Sequence, residues 1–179
     1  MTEKTNAVVE AFILQWGDLG TQWGVNRSVA QIHAFLYLQS EPVTAERIAG
    51  EFSIARSNVS TSLKELQAWR LVRRVPVRGD RRDHFVAETD PWEIAQRIAE
   101  GRKQRELDPA LATLARCVED ARTDPGVSAT ERERLEALHA FTRTADNWYG
   151  QMLALPRERL ETLMKLGAKV ARFLPKPRT

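Results

Sequence analysis

The sequence has few of the residues on which disulfide-rich, metal-binding and membrane proteins depend. Its single cysteine, Cys117, cannot form an internal disulfide and excludes a multi-cysteine zinc site, as is typical of a reducing compartment. Its three histidines lie far apart without an HExxH or other paired spacing, so we expect no metal or other cofactor. No apolar run approaches the roughly 18 residues that span a bilayer. The start, MTEKTNAVVEAF, lacks a charged stretch followed by an apolar one, so we expect no secretion signal, no membrane partner and a cytoplasmic location.

The sequence also lacks the motifs through which common enzymes bind phosphate or activate a nucleophile. It contains no Gly-rich phosphate loop, GxSxG elbow or paired-carboxylate motif. Its 179 residues, with 42% apolar and 28% charged side chains, suit one globular domain, or one domain with an appended oligomerisation region. We therefore expect a protein that binds a partner and is not an enzyme.

Positive charge is concentrated in two segments of a nearly neutral chain. The whole chain carries +3, but residues 55–82 carry +6 and residues 157–179 carry +5, which leaves −8 for the rest. A compact basic block attracts a polyanion, although a solvated basic surface has the same composition. The basic tail at 157–179 likewise has two interpretations, contact with flanking DNA or fraying in solvent.

Apolar residues at helical spacing predict a series of short helices in the first part of the chain. A first helix occupies 3–16, and the Gly residues after it are expected to end it: Gly17, Gly20 and Gly24. Asn26 and Thr44 have the side chains of N-caps for a second and a third helix.

A fourth predicted helix, over about 55–68, has a polar face suited to hydrogen bonding. Val59, Leu63 and Leu66 lie on one side of its helical wheel. The other side and the first turn carry short hydroxyls, an amide and cations: Arg56, Ser57, Asn58, Ser60, Thr61 and Lys64. A generic surface helix carries a mixture of Glu and Lys, whereas these side chains can bond base edges or phosphates.

The hydrophobic period changes from 3.6 to 2 after this helix and predicts a hairpin. The first strand is Leu71–Val77, in which Pro76 marks an edge, and the second is His84–Ala87. The charged loop Arg78–Asp83 is predicted to join them. Asp90-Pro91 then starts another helix, because proline suits the first helical position.

The chain after residue 90 is predicted to be helical throughout. Asp108-Pro109 and the pair Ser128 and Glu131 mark helix starts, the turn Asp124-Pro125-Gly126 lies between them, and a last helix follows Pro156. No sheet is predicted that would cover the apolar stripes of the last two helices: Leu135, Leu138, Phe141, Ala145, Trp148, Leu160, Leu163, Met164, Gly167, Val170 and Leu174. We expect these stripes to pack against one another or against a second copy of the chain.

This order of elements is typical of a winged helix-turn-helix protein. We predict a mostly α fold with an N-terminal helical region at 1–25, a DNA-binding domain with a two-stranded wing at 26–90, and C-terminal dimerisation helices at 91–179. The helix at 55–68 would enter a major groove of double-stranded DNA. The wing would reach a narrow minor groove through its arginines: Arg78, Arg81 and Arg82. The alternative is a winged-helix module that binds protein and no DNA.

Four segments of the chain match a known pattern: SNVSTSLKEL, LVRR, GDRRDHF and ETDPWE. With their surroundings in 26–94 they resemble the GbsR/MarR-type transcriptional regulators. The resemblance implies a homodimeric repressor with intertwined terminal helices that acts on a pseudo-palindromic operator and is released by a small-molecule effector. It also implies that Asp80 braces Arg82, which inserts into the minor groove. One departure is Ala55, where a serine often caps the recognition helix, and this weakens the helix start by about 1 kcal/mol.

Several residues keep two interpretations. Some GbsR-type regulators respond to choline-like cations, and Trp16, Trp23 and Trp92 flank the junction where effectors of the family bind, although ordinary packing competes with an aromatic cation site. Cys117 is expected to be a partly buried small side chain, with redox sensing as the alternative, although its same-face neighbours offer no cation to activate the thiol. Three arginines beside the wing either contact phosphate or only face solvent: Arg70, Arg73 and Arg74.

Overall fold

Helices form most of the chain, and one small sheet lies in its first half. The computed structural model describes residues 6–167 and 169. In chain order the elements are α1 (Ala7–Gln22), α2 (Arg27–Tyr37), β1 (Val43–Thr44), α3 (Ala45–Phe52), α4 (Arg56–Ala68), β2 (Val72–Val77), β3 (Asp80–Ala87), α5 (Pro91–Arg102), a π-helical turn (Lys103–Leu107), α6 (Asp108–Thr123), α7 (Ala129–Leu153) and α8 (Arg157–Leu166). The chain divides into two compact units, Met1–Ile98 and Ala99–Thr179. None of the described helices is long and apolar enough to cross a membrane.

The first helix ends later than predicted because it continues through two glycines. The expectation that Gly17 and Gly20 end it is therefore wrong. Positions 3–5 of the predicted helix lie outside the described residues. Both glycines face α2: a Cβ on Gly17 would lie 2.6 Å from Gln31 Cγ, and a Cβ on Gly20 would lie 2.5 Å from Ala30 Cβ. They allow α1 and α2 to approach closely. Gly24, with a φ of 77°, takes the left-handed conformation after the helix.

The predicted caps of α2 and α3 are confirmed. Asn26 accepts a hydrogen bond from the Ser28 N–H at 2.9 Å, and Thr44 accepts one from the Arg47 N–H at 3.3 Å. At the start of α4, Ala55 makes no side-chain capping bond, as its methyl group requires. The helix expected over 55–68 is nevertheless present, because packing of its apolar face stabilises it as well as its termini.

The sheet has three antiparallel strands in the order β1–β3–β2, one strand more than predicted. Val43 and Thr44 form β1 and pair with Phe85 and His84 on β3. Two residues are too few to display a period-2 pattern, so the sequence indicated only the N-cap role of Thr44. β2 lies at the other edge, as Pro76 predicted, and its register with β3 shifts beside this proline.

The turn of the hairpin is tighter than predicted. Arg78 and Gly79 alone separate the strands, Gly79 has a φ of 85°, and Asp80 already pairs with Val77 across the hairpin. The loop predicted over Arg78–Asp83 is therefore wrong from Asp80 onward, because Asp80–Asp83 lie on β3. Charged residues are poor strand formers, but on a solvated hairpin their side chains extend into water while the backbone still pairs.

The core of the first unit lies between α2, α3, α4 and the sheet. Its side chains with almost no exposed surface come from all four: Ile32, Leu36, Val43, Ile48, Val59 and Leu66. The predicted buried face of α4 is confirmed, because Leu63 is buried together with Val59 and Leu66. This burial fixes which side of α4 points to solvent.

In the second unit α6 starts at Asp108, as predicted, but it continues directly from a π-helical turn. The Asp108 N–H donates to the Lys103 carbonyl, which closes the π-helical turn. The prediction that Asp108 caps a separate helix is wrong, because its backbone is helical and its carboxylate lies 2.5 Å from the Lys103 ammonium. Pro109 follows immediately, and a wide turn accommodates a residue that has no N–H to donate.

The predicted capping box of α7 is confirmed. The Ser128 hydroxyl accepts a hydrogen bond from the Glu131 N–H, and the Glu131 carboxylate accepts one from the Ser128 N–H at 2.9 Å. Further along α7, three predicted stripe residues remain largely exposed, at 51% for Leu138, 70% for Phe141 and 60% for Trp148. Val170 and Leu174 of the predicted last stripe lie outside the described residues.

Cys117 is exposed on α6, so the expectation of a partly buried side chain is wrong. Its neighbour Val118 is the buried residue at this level of the helix. One residue corresponds to about 100° of rotation around an α-helix, which is enough to turn the thiol away from the contact with α7.

Candidate nucleic-acid interface

The polar face of α4 is fully presented to solvent. All six side chains expected to contact DNA from this helix are exposed: Arg56, Ser57, Asn58, Ser60, Thr61 and Lys64. The buried residues described above anchor the opposite face of the helix against α2 and α3. A rigid helix therefore carries short hydrogen-bonding side chains and two cations on an open surface.

An acidic residue of α3 lies beside the first turn of α4. The Arg56 guanidinium is 3.7 Å from the Glu46 carboxylate, and both side chains are well exposed. A solvent-exposed pair of this kind contributes at most about 1 kcal/mol. Arg56 can therefore exchange Glu46 for another anion at little energetic cost.

On the wing, the hairpin β2–β3, Asp80 holds Arg82 through several hydrogen bonds. The Arg82 backbone N–H donates to Asp80 Oδ1 at 3.0 Å, and Arg82 Nε donates to both carboxylate oxygens at 3.0 Å. The hydrogen bonds from Arg82 hold the pKa of the Asp80 carboxyl well below its usual range, and Asp80 raises the pKa of Arg82 in return. The contact that the resemblance implied between these residues is present, and both groups are charged near neutral pH.

A groove of about 430 Å³ separates α4 from the wing. Ser60 and Lys64 line it from the helix, and Arg82 lines it from β3. Four further polar residues line the groove: Glu46, Gln67, Arg74 and Asp83. The sequence indicated Arg74 as a possible phosphate contact, but it did not predict the other three as groove residues, because only the fold brings α3, α4 and the hairpin together. The Arg74 guanidinium donates to the Asp83 carboxylate at 3.1 Å, so this wing arginine already has an acidic partner.

The other wing arginines, Arg73, Arg78 and Arg81, do not line this groove. Arg78 is exposed at the hairpin turn, and Arg81 is exposed on β3 next to Arg82. The wing thus presents a braced cation toward α4 and two further cations near its tip. Together they form a basic edge beside the polar face of the helix.

The three tryptophans predicted for an effector site have different surroundings. Trp16 on α1 packs against the core, with its ring centroid 5.6 Å from that of Phe12 and 6.4 Å from that of His33. Trp23 follows α1 and is 58% exposed, whereas Trp92 is half-buried in the first turn of α5. The contacts of Trp16 are those of a packing residue.

The segment that contains this interface resembles a known protein family. The model of the MarR family matches residues 23–83, which include α2, α3, α4 and β2. This segment is therefore similar to the MarR family. The mostly α, winged-helix fold that the sequence predicted is confirmed, and α4, β2 and the first half of β3 lie in the segment that resembles the MarR family.

Individual relatives resemble the chain at low sequence identity. The HTH-type transcriptional repressor GbsR of Bacillus subtilis (strain 168) is 26% identical over 102 residues, which are 57% of this chain and 54% of GbsR. The match thus spans about half the length of that relative. A crystal structure described as a transcriptional regulator has the same fold, with a TM-score of 0.62, 16% identity, and coverage of 82% of this chain and 95% of that one. A complex of S. aureus MepR with DNA aligns with a TM-score of 0.38 at 18% identity, over 77% of this chain and 93% of MepR.

Proposed function

We propose that the chain is a sequence-specific DNA-binding transcriptional regulator. The observation that carries the proposal is the exposed polar face of α4 beside a wing whose Arg82 is held by Asp80. In this arrangement α4 enters a major groove, and the wing reaches the adjoining minor groove. The +6 charge of residues 55–82 supplies the attraction to phosphate that such docking needs.

The side chains of α4 match the chemistry of base edges and phosphates. Ser57 and Asn58 lie in the first turn, where short side chains reach base edges without steric bulk, and Arg56 can pair with guanine O6 and N7. Lys64 lies farther along the helix and suits a phosphate. Arg82, already oriented by Asp80, suits the electronegative potential of a narrow minor groove.

We further infer that the regulator acts as a homodimer. Leu138, Phe141 and Trp148 lie within an arc of about 80° on α7 and remain exposed, which supports a second copy of this chain as the partner that covers them. A two-fold axis would then place two α4 helices in successive major grooves on one side of the duplex. The matching operator is a pseudo-palindrome.

Repression and release by an effector extend the same proposal. The name of the B. subtilis relative describes a transcriptional repressor, and we extend that role to this chain. A small-molecule effector would bind near Trp16, Trp23 or Trp92 and lower operator affinity. Partially exposed Trp23 and Trp92 are accessible to such a ligand, whereas Trp16 supports the site from the core.

Selection of bound duplexes from a random-sequence pool tests the proposal. Wild-type protein should enrich a pseudo-palindrome, and Arg82→Ala should weaken binding of that duplex about tenfold or more because a groove contact of a charged group is lost. Arg134→Ala, which removes an exposed cation from α7, is the matched control and should bind as wild type does.

The first turn of α4 can be tested with the same selected duplex. Ser57→Ala and Asn58→Ala should change the sequence that is preferred more than the affinity for random DNA. Failure of wild-type protein to enrich any duplex would contradict the proposal and favour the protein-interaction alternative. Equal losses of affinity for all duplexes would indicate that these two side chains contact phosphates.

A further inference from the structure

Two acidic side chains line the groove between α4 and the wing. Glu46 comes from the first turn of α3 and Asp83 from β3, and both lie outside the basic block at 55–82. The Asp83 carboxylate accepts a hydrogen bond from Arg74 at 3.1 Å. Glu46 makes a looser contact, because 3.7 Å separates its carboxylate from the Arg56 guanidinium, which is longer than a hydrogen bond. The fold thus adds negative charge to a surface that is basic in sequence.

Glu46 lies close to two cations that the proposed function places on DNA. The Glu46 side chain is 40% exposed and that of Arg56 is 75% exposed, so a docked duplex can reach both. Across the groove, Asp80 raises the pKa of Arg82 most strongly, and Glu46 adds to this shift. The negative charge of Glu46 therefore acts on α4 and on the wing.

The other charged groups around Glu46 leave Arg56 as its direct partner. Glu51 of α3 and Glu65 of α4 are not among the described residues that line the groove, whereas Lys64 lines it farther along α4. Three arginines of α3 and the wing are held by other side chains: Arg47 by Gln39, Arg74 by Asp83 and Arg82 by Asp80. Among the described residues, Arg56 is the one cation within ion-pair distance of Glu46.

The two ligands that DNA offers to Arg56 differ in charge. Arg56 leaves Glu46 at little cost, but a phosphate that binds Arg56 still places a second negative charge within a few ångströms of the carboxylate. Guanine O6 and N7 are neutral acceptors, and a guanidinium with five N–H donors can bond them while it stays beside Glu46. Glu46 therefore opposes the phosphate contact and tolerates the base contact.

We propose that Glu46 is a specificity-determining residue, which disfavours phosphate contacts of Arg56 and thereby reserves this side chain for guanine. The proposal rests on the proposed function, because it takes α4 as the helix that enters the major groove. Random DNA attracts the cations of α4 mainly through phosphates, whereas an operator also offers a base edge at a fixed place. A repulsive group that penalises the unwanted complex raises specificity without any new contact to the operator.

Binding of two duplexes separates the phosphate contact from the base contact. One is the duplex that wild-type protein selects, and the other is a random-sequence duplex of the same length. Glu46→Gln keeps the shape of the side chain and removes its charge. Its Kd for the random duplex should fall about fivefold per subunit, the scale of the repulsion between two unit charges about 4 Å apart in water.

The selected duplex and the salt dependence show where the added affinity comes from. The Kd of Glu46→Gln for the selected duplex should change less, so the ratio of the two Kd values falls and specificity is lost. The salt slope on the random duplex should steepen by about one unit per subunit, because Arg56 gains a phosphate. Glu10→Gln removes an exposed carboxylate from α1 and is the matched control, which should keep the wild-type ratio.

Removal of Arg56 shows whether the charge of Glu46 acts through this side chain. Arg56→Ala should weaken binding of the selected duplex about tenfold or more, because a guanine contact is lost. Addition of Glu46→Gln to Arg56→Ala should then leave the Kd for the random duplex unchanged, since no guanidinium remains there to bind a phosphate. Urea denaturation establishes that each variant is folded.

Two results would overturn the role of Glu46. One is a ratio of the two Kd values that Glu46→Gln leaves as in wild type. The other is a gain of affinity for random DNA that persists in the Arg56→Ala background, since the carboxylate would then repel phosphates without regard to Arg56. If wild-type protein selects no duplex, the proposed function fails and the role of Glu46 fails with it, whereas a selected duplex with either of these results overturns the role of Glu46 alone.

Discussion

His33 is the single residue whose burial is most at odds with its chemistry. The side chain lies in the core on α2, against the Trp16 ring, and its Nε2 is buried without a hydrogen-bond partner among the described residues. Burial lowers the pKa of His33 from its ordinary 6.5 to about 4. The folded protein therefore holds this imidazole in its neutral form.

We expect His33 to make the free energy of unfolding depend on pH. The unfolded chain binds a proton near pH 6.5 and the folded chain only near pH 4, so stability is complete above the first value and is lost as the pH falls toward the second. The full loss amounts to about 3 kcal/mol. Urea denaturation of wild type and His33→Leu between these pH values measures it, and His139→Gln serves as the control. An identical pH slope in wild type and His33→Leu would contradict the account.

The Asp80–Arg82 contact is a residue-scale feature that the sequence predicted through resemblance. Composition and spacing alone gave a cluster of charges without saying which acid pairs with which base. The pairing depends on strand register, because β3 starts at Asp80 and its alternation brings Asp80, Arg82 and His84 to one side. For the same reason His84 could not be recognised as a neighbour of Asp80 while the loop was expected to extend to Asp83.

At the scale of elements, the contact between α1 and α2 depends on glycine in a way that helical periodicity does not reveal. Gly20 packs against Ala30 with no room for a Cβ, whereas Gly50 on α3 has open space around the position of a Cβ. Because glycine disfavours helix interiors, the sequence alone predicts a helix end at Gly17 and Gly20. Tertiary packing overrides that preference where two helices approach closely.

Two Gly→Ala substitutions should therefore have opposite effects on stability. Gly20→Ala should lower the free energy of unfolding by about 1–3 kcal/mol, since the added methyl group forces α1 away from α2. Gly50→Ala should raise it by about 0.5–1 kcal/mol, since alanine favours the helix and meets no neighbour. Thermal and urea denaturation compare them directly, and stabilisation by Gly20→Ala would contradict the packing described for α1.

The sequence predicted helices that have a side-chain cap or an apolar face, but it did not predict the short strand β1 or the π-helical turn. The predicted caps at Asn26, Thr44 and Ser128 are confirmed, and so is the buried apolar face of α4. Such local features determine the position of a helix to within a few residues. Strand β1 has two residues and exists only because β3 supplies its hydrogen-bond partners. The π-helical turn before Pro109 accommodates a residue that has no backbone N–H to donate. The cap-proline pattern in the sequence does not distinguish such a turn from a capped helix start.

At the scale of the whole molecule, α7 of the C-terminal unit exposes an apolar face to solvent, formed by Leu138, Phe141 and Trp148. Replacing an exposed phenylalanine by a polar residue usually leaves a monomer stable, but it weakens an interface that buries the ring. Phe141→Ser should therefore raise the dimer dissociation constant about tenfold or more. Sedimentation equilibrium or light scattering over a dilution series measures this change.

A matched substitution separates loss of the interface from a general effect of polarity. Leu38→Ser alters another exposed apolar side chain, at the end of α2 in the first unit, and should leave the dissociation constant unchanged. If wild-type protein is a monomer at micromolar concentration, or if both variants dissociate alike, the face on α7 is not the dimer contact.

The net charge of +3 conceals the feature on which the proposed function depends. The basic block at 55–82 coincides with α4 and the wing, and the remaining scaffold is acidic apart from the tail at 157–179, of which 168 and 170–179 lie outside the described residues. A negative scaffold disfavours docking of DNA elsewhere on the chain. Binding through the block should then be dominated by release of counterions from phosphates.

The salt dependence of duplex binding tests this central claim most directly. Titration of the selected duplex should show log Kd increasing steeply and linearly with log salt, with an affinity loss of about a thousandfold between about 50 and 200 mM if a dimer neutralises about six phosphates. Arg82→Ala should reduce the slope if Arg82 lies against phosphates as well as in the groove. A Kd that stays constant over this range would contradict the proposal that α4 and the wing form a DNA-binding surface.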